Sequence, residues 1–193
     1  MNLPKANPRR HIMVDIETFG TGRDAAIASI GACEFDLEGK IGRTFSAVVD
    51  LGASKSPGVL NAATVYWWLQ QEEKAARTAL IPDSVSDCLP LGQTLRIFSQ
   101  LLRGDFKADK VEGLWSNGPT FDEMILRDAY SRYEMDFPVS FRASRCCRTI
   151  FAQRPESLEK PTREGTYHNA LDDAIYQAKS IAQILRAKEL PLR

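Results

Sequence analysis

Three β-type runs joined by short connections, an apolar run that passes straight into a helix near residue 119, and a long amphipathic helix from about residue 169 to 190 predict an α/β fold. The expected architecture is a mixed sheet, part antiparallel meander and part parallel strands, flanked by helices. Residues 11–17 (HIMVDIE) form the first expected strand, and the glycine-punctuated ETFGTGRD follows as a turn. The runs 25–37 and 42–51 read as the second and third strands, joined by the turn EGKI. SKSPG breaks the pattern. Residues 61–80 and 91–104 carry helical periodicity. VEGLWSNG (111–118) is a fourth strand, and Pro119 opens the next helix within its first turn, where proline is tolerated. That helix runs to about Tyr133. FPVSFRASR is extended or irregular, CRTIFAQ is a short helix, and the last helix spans about Asn169 to Leu190. PESLEKPTREG (155–165) is the expected long loop and a candidate flap beside His168.

The bulk properties bound what such a chain does. Its 193 residues suit one domain with its core over about 10–185. At 44% hydrophobic and 26% charged the sequence is neither disordered nor fibrous. Acidic and basic residues number 25 each, so a general polyanion-coating role is excluded and any nucleic-acid contact is expected at a local site. Cys33, Cys88, Cys146 and Cys147 form no CxxC pair and no zinc spacing, and read as reduced thiols. The N-terminus has no apolar signal-like core and no stretch approaches a membrane span, so a cytoplasmic setting is expected.

Chemistry concentrates in three acidic patches: Asp15 and Glu17 in MVDIET, Asp122 in SNGPTFDEM, and Asp173 in YHNALDDA. Asp15 and Glu17 stand at i and i+2 of a strand and point to one face. Two carboxylates on a buried strand repel each other and are costly to desolvate, unless a cation lies between them. Magnesium, which prefers oxygen ligands, is the natural occupant. Singly, Asp122 and Glu123 read as helix N-terminal acids favoured by the helix dipole. In the last patch helix geometry alone pairs His168 with Asp172 at i+4; Asp173, at i+5, lies about 140° away. Gly165 and Thr166 precede His168, so it can hang from the loop instead, and periodicity leaves the two aspartates undecided.

DIET, the Asp after SNGPTF, and HNALDDA together resemble the DEDDh group of 3′–5′ exonucleases, in the ribonuclease-H-like superfamily, over roughly residues 10–185. The opening D-I-E-T-x-G, the segment Tyr66, Trp67, Trp68, Gln71, and W-S-N-G-x-x-F-D are shared with short single-domain exonucleases of phages and bacteria. The resemblance implies a ribonuclease-H-like sheet. It selects Asp173 through the pattern H-x4-D, with Asp15, Glu17, Asp122 and Asp173 as metal-binding carboxylates and His168 as general base. The sister group has tyrosine where this chain has Asn169. The implied reaction is hydrolysis of phosphodiester bonds from the 3′ end of single-stranded DNA or RNA, with two magnesium ions (manganese as substitute), releasing nucleoside 5′-monophosphates. Such ions clamp the attacking and departing oxygens of an in-line displacement. Histidine exchanges protons near neutral pH, which suits a base.

For the strand end, the resemblance places Thr18 and Phe19 at the terminal nucleotide. Stacking by Phe19 competes with a core role. Trp67 and Trp68 lie about 100° apart on a helix, so one is core and the other lines the nucleotide site or a subunit contact; Trp68 is assigned to the substrate. Asn117 is a further substrate candidate against a turn role. Trp115 is read as core and His11 as a surface or strand-end residue. Arg142, Arg145, Arg148 and Arg163 are candidate phosphate grips or a solvated face. A homodimer is implied by several look-alikes. The rival readings are the same chemistry with RNA as main substrate, a non-catalytic nucleic-acid-binding module, and a phosphohydrolase of small nucleotides.

Overall fold

The computed structural model describes residues 10–71, 80, 87–104 and 111–188. Its elements run β1 (Arg10–Thr18), β2 (Ile27–Phe35), β3 (Ile41–Asp50), α1 (Ala62–Leu69), β4 (Leu89–Pro90), α2 (Leu91–Arg103), β5 (Val111–Ser116), α3 (Met124–Arg132), β6 (Ser144–Cys146), α4 (Cys147–Phe151) and α5 (Ala170–Ala187). The six strands form one sheet in the order β4-β3-β2-β1-β5-β6. β1, β2 and β3 pair antiparallel as the expected meander. β5 joins β1 in parallel, β6 joins β5 in parallel, and β4 runs parallel to β3. The sheet is therefore mixed, as the alternation of strands and helices predicts.

Two strands lie beyond what the sequence pattern shows. β4 has two residues and β6 has three. Neither is long enough to display a period of two, so only pairing identifies them. The FPVSFRASR stretch resolves into a 3-10 turn at Phe141–Ala143 followed by β6. α1 ends at Leu69; the remainder of the helix expected to residue 80 lies, but for residues 70, 71 and 80, outside the described residues, as does the end of the last helix beyond 188.

The core forms on both faces of β1, which explains why that strand is an almost unbroken apolar run. Ile12, Val14 and Ile16 pack with Leu95 and Phe98 of α2 and Leu126 and Tyr130 of α3. Met13, on the opposite face, packs with Trp115, Ala174, Ala178 and Ile181. Asp15 and Glu17 share the parity of Met13, so strand alternation turns both acids toward the face that α5 covers. The approach of α5 depends on Gly31, which pairs directly with Asp15 across β1 and β2. A Cβ at Gly31 would overlap the Ala170–Leu171 peptide at the start of α5. Glycine there lets the first turn of the helix, with Asp173, come down onto the sheet beside Asp15.

His11 corrects the sequence expectation. It is 3% exposed, not a surface residue. Trp115 Nε1 donates to its Nδ1 at 3.3 Å, and the Phe35 ring lies 5.9 Å away. His11 does stand at the start of β1, directly after Arg10, which is ion-paired to Glu34. Trp115 is core, as expected.

Candidate active site

One cleft of about 350 Å³ is lined by Asp15, Glu17, Asn117, Asp122, His168 and Asp173, together with Phe121, Arg148, Arg163 and Gln177. Three separate stretches of chain deliver the acids. β1 contributes Asp15 and Glu17. Asp122 comes from a single π-helical turn, Pro119–Glu123, between β5 and α3. Such wide turns re-aim a side chain that a regular helix would place elsewhere. Gly118, at φ +130°, gives β5 its exit into that turn. Asp173 sits in the first turn of α5, where the helix dipole favours an anion.

The choice between the adjacent aspartates is geometric. Asp172 turns back to accept the Thr166 backbone N–H at 2.8 Å and packs on Gly165, which has φ +80° and no room for a Cβ. Asp173 faces the cleft, and its Oδ2 accepts the His168 backbone N–H at 3.1 Å. Asn169 caps the helix by accepting from the Leu171 and Asp172 N–H groups, each at 3.2 Å. His168 thus stands before the helix with φ +62°, a left-handed conformation rare for a non-glycine residue and held here by its neighbours. Its ring offers a nitrogen within 4.8 Å of carboxylate oxygens of Glu17 and Asp173. The rings of Trp67 and Trp68 stand edge-on to it at 5.2 and 5.8 Å.

Electrostatics mark the cluster as a site that a cation fits. Burial, then repulsion from Asp15, Asp173 and Asp122, pushes Glu17 up to about 9. Burial raises Asp122 to about 7 against backbone hydrogen bonds and Arg148, which lower it. Asp15 is raised well above the ordinary carboxylate range, first by burial and then by Asp122 and Asp173. Gln177 donates to Asp15 Oδ1 at 2.8 Å, whereas the buried Oδ2 of Asp122 meets no protein donor. Crowded, desolvated oxygens with an unsatisfied acceptor match the donor set of a hard divalent cation.

A second cleft of about 490 Å³ adjoins the first at Ile16, Glu17 and Phe121. Thr18, Asn61, Trp67 and Trp68 line it. Trp68 is buried and its Nε1 donates to the Thr18 carbonyl at 2.9 Å; Trp67 is 42% exposed. Thr18 Oγ1 donates to the Gly20 carbonyl at 2.6 Å. Phe19 is not among the lining residues of either cleft and packs on the Ala28, Trp68 and Leu80 cluster. Of the four arginines, Arg148 and Arg163 reach the first cleft. Arg142 and Arg145 line a different hollow, with Val111 and Glu112; Arg145 pairs with Trp115 in the β5–β6 register, and its side chain reaches back to the Glu112 carbonyl. Glu123 is structural: it accepts from Arg127 at 2.8 Å and from Ser144 at 2.6 Å. Tyr176 and Gln177, which also line the cleft, are open to sequence reasoning as the residues three and four after Asp173 on one helix face; Arg163 is named there only as a candidate phosphate grip.

The sequence matches the family described as the 3′–5′ exoribonuclease Rv2179c-like domain over residues 10–185. The chain belongs to that family. It is also 26% identical over 124 residues to an exodeoxyribonuclease of enterobacteria phage T4, a match covering 60% of this chain and 53% of the phage protein. Among solved structures it resembles E. coli exonuclease I in a complex with single-stranded DNA and zinc, with TM-score 0.67, 14% identity, and coverage of 96% of this chain and 42% of that one. Exonuclease I of Methylocaldum szegediense aligns with TM-score 0.60 and 15% identity over 95% of this chain and 42% of that one. At these identities the structural matches speak to the fold, which is the ribonuclease-H-like sheet expected. The chain spans about half the length of the phage relative and less than half of the exonuclease I chains.

Proposed function

We propose that residues 10–185 work as one domain that hydrolyses phosphodiester bonds from the 3′ end of single-stranded nucleic acid in the cytoplasm, releasing nucleoside 5′-monophosphates. The observation that carries the reading is the convergence of Asp15, Glu17, Asp122 and Asp173 from three distant stretches onto one cleft that His168 borders. Those four carboxylates would hold two magnesium ions, or manganese in their place. Bound there, the cations supply Lewis-acid polarisation of the scissile phosphate and the attacking water.

The remaining work belongs to side chains of the chain. A ring nitrogen of His168 removes a proton from water as its oxygen bonds to phosphorus. The P–O3′ bond breaks, the departing 3′ oxygen takes a proton from solvent water to leave a new 3′ hydroxyl, and His168 returns its own proton to solvent. His168, carried on a left-handed turn, lines the cleft with its ring edge-on to Trp67 and Trp68. Thr18 and Asn117 border the space that a terminal nucleotide would fill, and the Trp67–Trp68 wall offers a surface for its base.

RNA as the main substrate is the second reading, favoured by the family's description as an exoribonuclease; the phage relative is described as acting on DNA. The test is digestion of matched DNA and RNA oligomers labelled at the 5′ end, in magnesium and in chelator. Ladders that shorten from the 3′ end in magnesium alone are expected. Intact strands of both kinds in magnesium would overturn the assignment in favour of a binding module.

A further inference from the structure

Arg163 is built into the acidic cleft rather than placed at its rim. Its Nη2 pairs with Asp173 Oδ1 and also donates to the Thr166 carbonyl at 3.2 Å. Its guanidinium carbon lies 3.8 Å from the centre of the Tyr167 ring and 5.0 Å from that of Tyr176. The side chain is 14% exposed, and its buried Nε meets no acceptor. With His168 N–H on Oδ2, protein donors engage both oxygens of Asp173.

Resting on the proposed metal site, we propose that Arg163 is a resident counter-ion of the acidic cluster. It neutralises Asp173 while no divalent cation is bound, and a cation must displace it from that carboxylate to bind fully. The planar guanidinium suits this duty, because two aromatic rings can hold its position after the ion pair parts. The same residue ties cation loading to the turn that carries His168, since Thr166 and Tyr167, its partners, belong to that turn. Arg163 thereby lowers the affinity for the cation and keeps the acids compensated without it.

The two roles open to Arg163 predict opposite signs. A brace that presets Asp173 for a cation would make its removal weaken binding; a competing counter-ion would make removal tighten it. Manganese and magnesium binding is measured by calorimetry without nucleic acid for the wild type, Arg163→Gln and Arg163→Lys. Arg163→Gln is expected to bind about tenfold tighter, and Arg163→Lys, which keeps the charge, within about threefold of the wild type. In parallel, the Arg163 Nε–H correlation of 15N-labelled wild-type protein, assigned by its loss in Arg163→Lys, is followed through a magnesium titration; it is expected to move along the same isotherm. That second measurement needs no folded glutamine variant. Wild-type binding with equal or weaker binding by Arg163→Gln, or an Nε–H signal that stays still through saturation, overturns the inference alone. Absence of binding in every protein overturns both this inference and the metal reading.

Discussion

The two aspartates at the start of α5 differ in what their oxygens meet. Asp172 closes the Gly165–Thr166 turn, and Asp173 lines the cleft. Asp173→Asn is expected to cut cleavage by more than about 10²-fold with the fold retained. Asp172→Asn should keep most activity and lose about 1 kcal/mol of stability; turnover and urea melts of the pair check this, and equal loss of activity in both would refute the division. Glu17 makes a pH prediction. Its folded value of about 9 lies above its ordinary 4.5, so the folded state holds a proton that the unfolded chain releases. Stability from this group is fully present below pH 4.5 and lost as pH rises through about 9. In chelator, the melting temperature of the wild type should therefore fall relative to Glu17→Gln between those limits, and a saturating divalent cation should remove the difference. Asp15 and Glu17 are legible in the sequence because i, i+2 carboxylates in an apolar strand are costly to bury without a cation between them. His11 is not, because nothing local announces a burial that depends on Trp115, 104 residues away. Arg163 is named from the sequence as a candidate phosphate grip, but its pairing with Asp173 is equally opaque: its partners Tyr167 and Tyr176 come to it through a turn and a helix whose relative angle no spacing encodes.

At the scale of elements, the site depends on how closely α5 approaches β2. Gly31 sets that distance, since any Cβ there meets the backbone of Ala170 and Leu171, which cannot yield as a flexible side chain can. Gly31→Ala is expected to destabilise by about 2 kcal/mol or more, and to reduce turnover as Asp173 is lifted from Asp15. Gly39→Ala is the control. It carries φ +81° but meets only the Ala182 Cβ at 3.8 Å, so it should cost about 1 kcal/mol of backbone strain and leave turnover intact. Thermal melts and initial rates of both variants separate the cases; a Gly31→Ala protein with wild-type turnover would refute the packing argument. The long elements are legible because their periods repeat several times. The meander, α2, α3 and α5 all fall where hydrophobic spacing puts them. β4, β6 and the π turn holding Asp122 are not, because each spans five residues or fewer and is defined by its partners.

Over the whole molecule, 25 acidic and 25 basic residues cancel, so long-range attraction to a polyanion is weak and the proposed strand binding would rest on a few local cations. Several arginines are already committed to carboxylates: Arg10 and Arg43 to Glu34, Arg127 to Glu123, Arg132 to Asp128 and Arg163 to Asp173. Arg148 lies exposed at the cleft wall, with its guanidinium over Gly118 and its charge lowering Asp122. Each phosphate neutralised on a single strand contributes about 0.7 to the slope of log affinity against log salt. Such a protein should therefore show a shallow slope, on the order of 1 to 2, unlike a basic groove that neutralises many phosphates. Arg148→Gln should reduce that slope by about 0.7, whereas Arg142→Gln, at the far end of β5, should leave it unchanged. The measurement is fluorescence anisotropy of a short labelled strand over a salt series, with all proteins carrying His168→Ala so that cleavage is slow. An equal drop in slope for both variants would move the strand path across the whole β5–β6 edge, and the balanced charge would then say little about where nucleic acid binds.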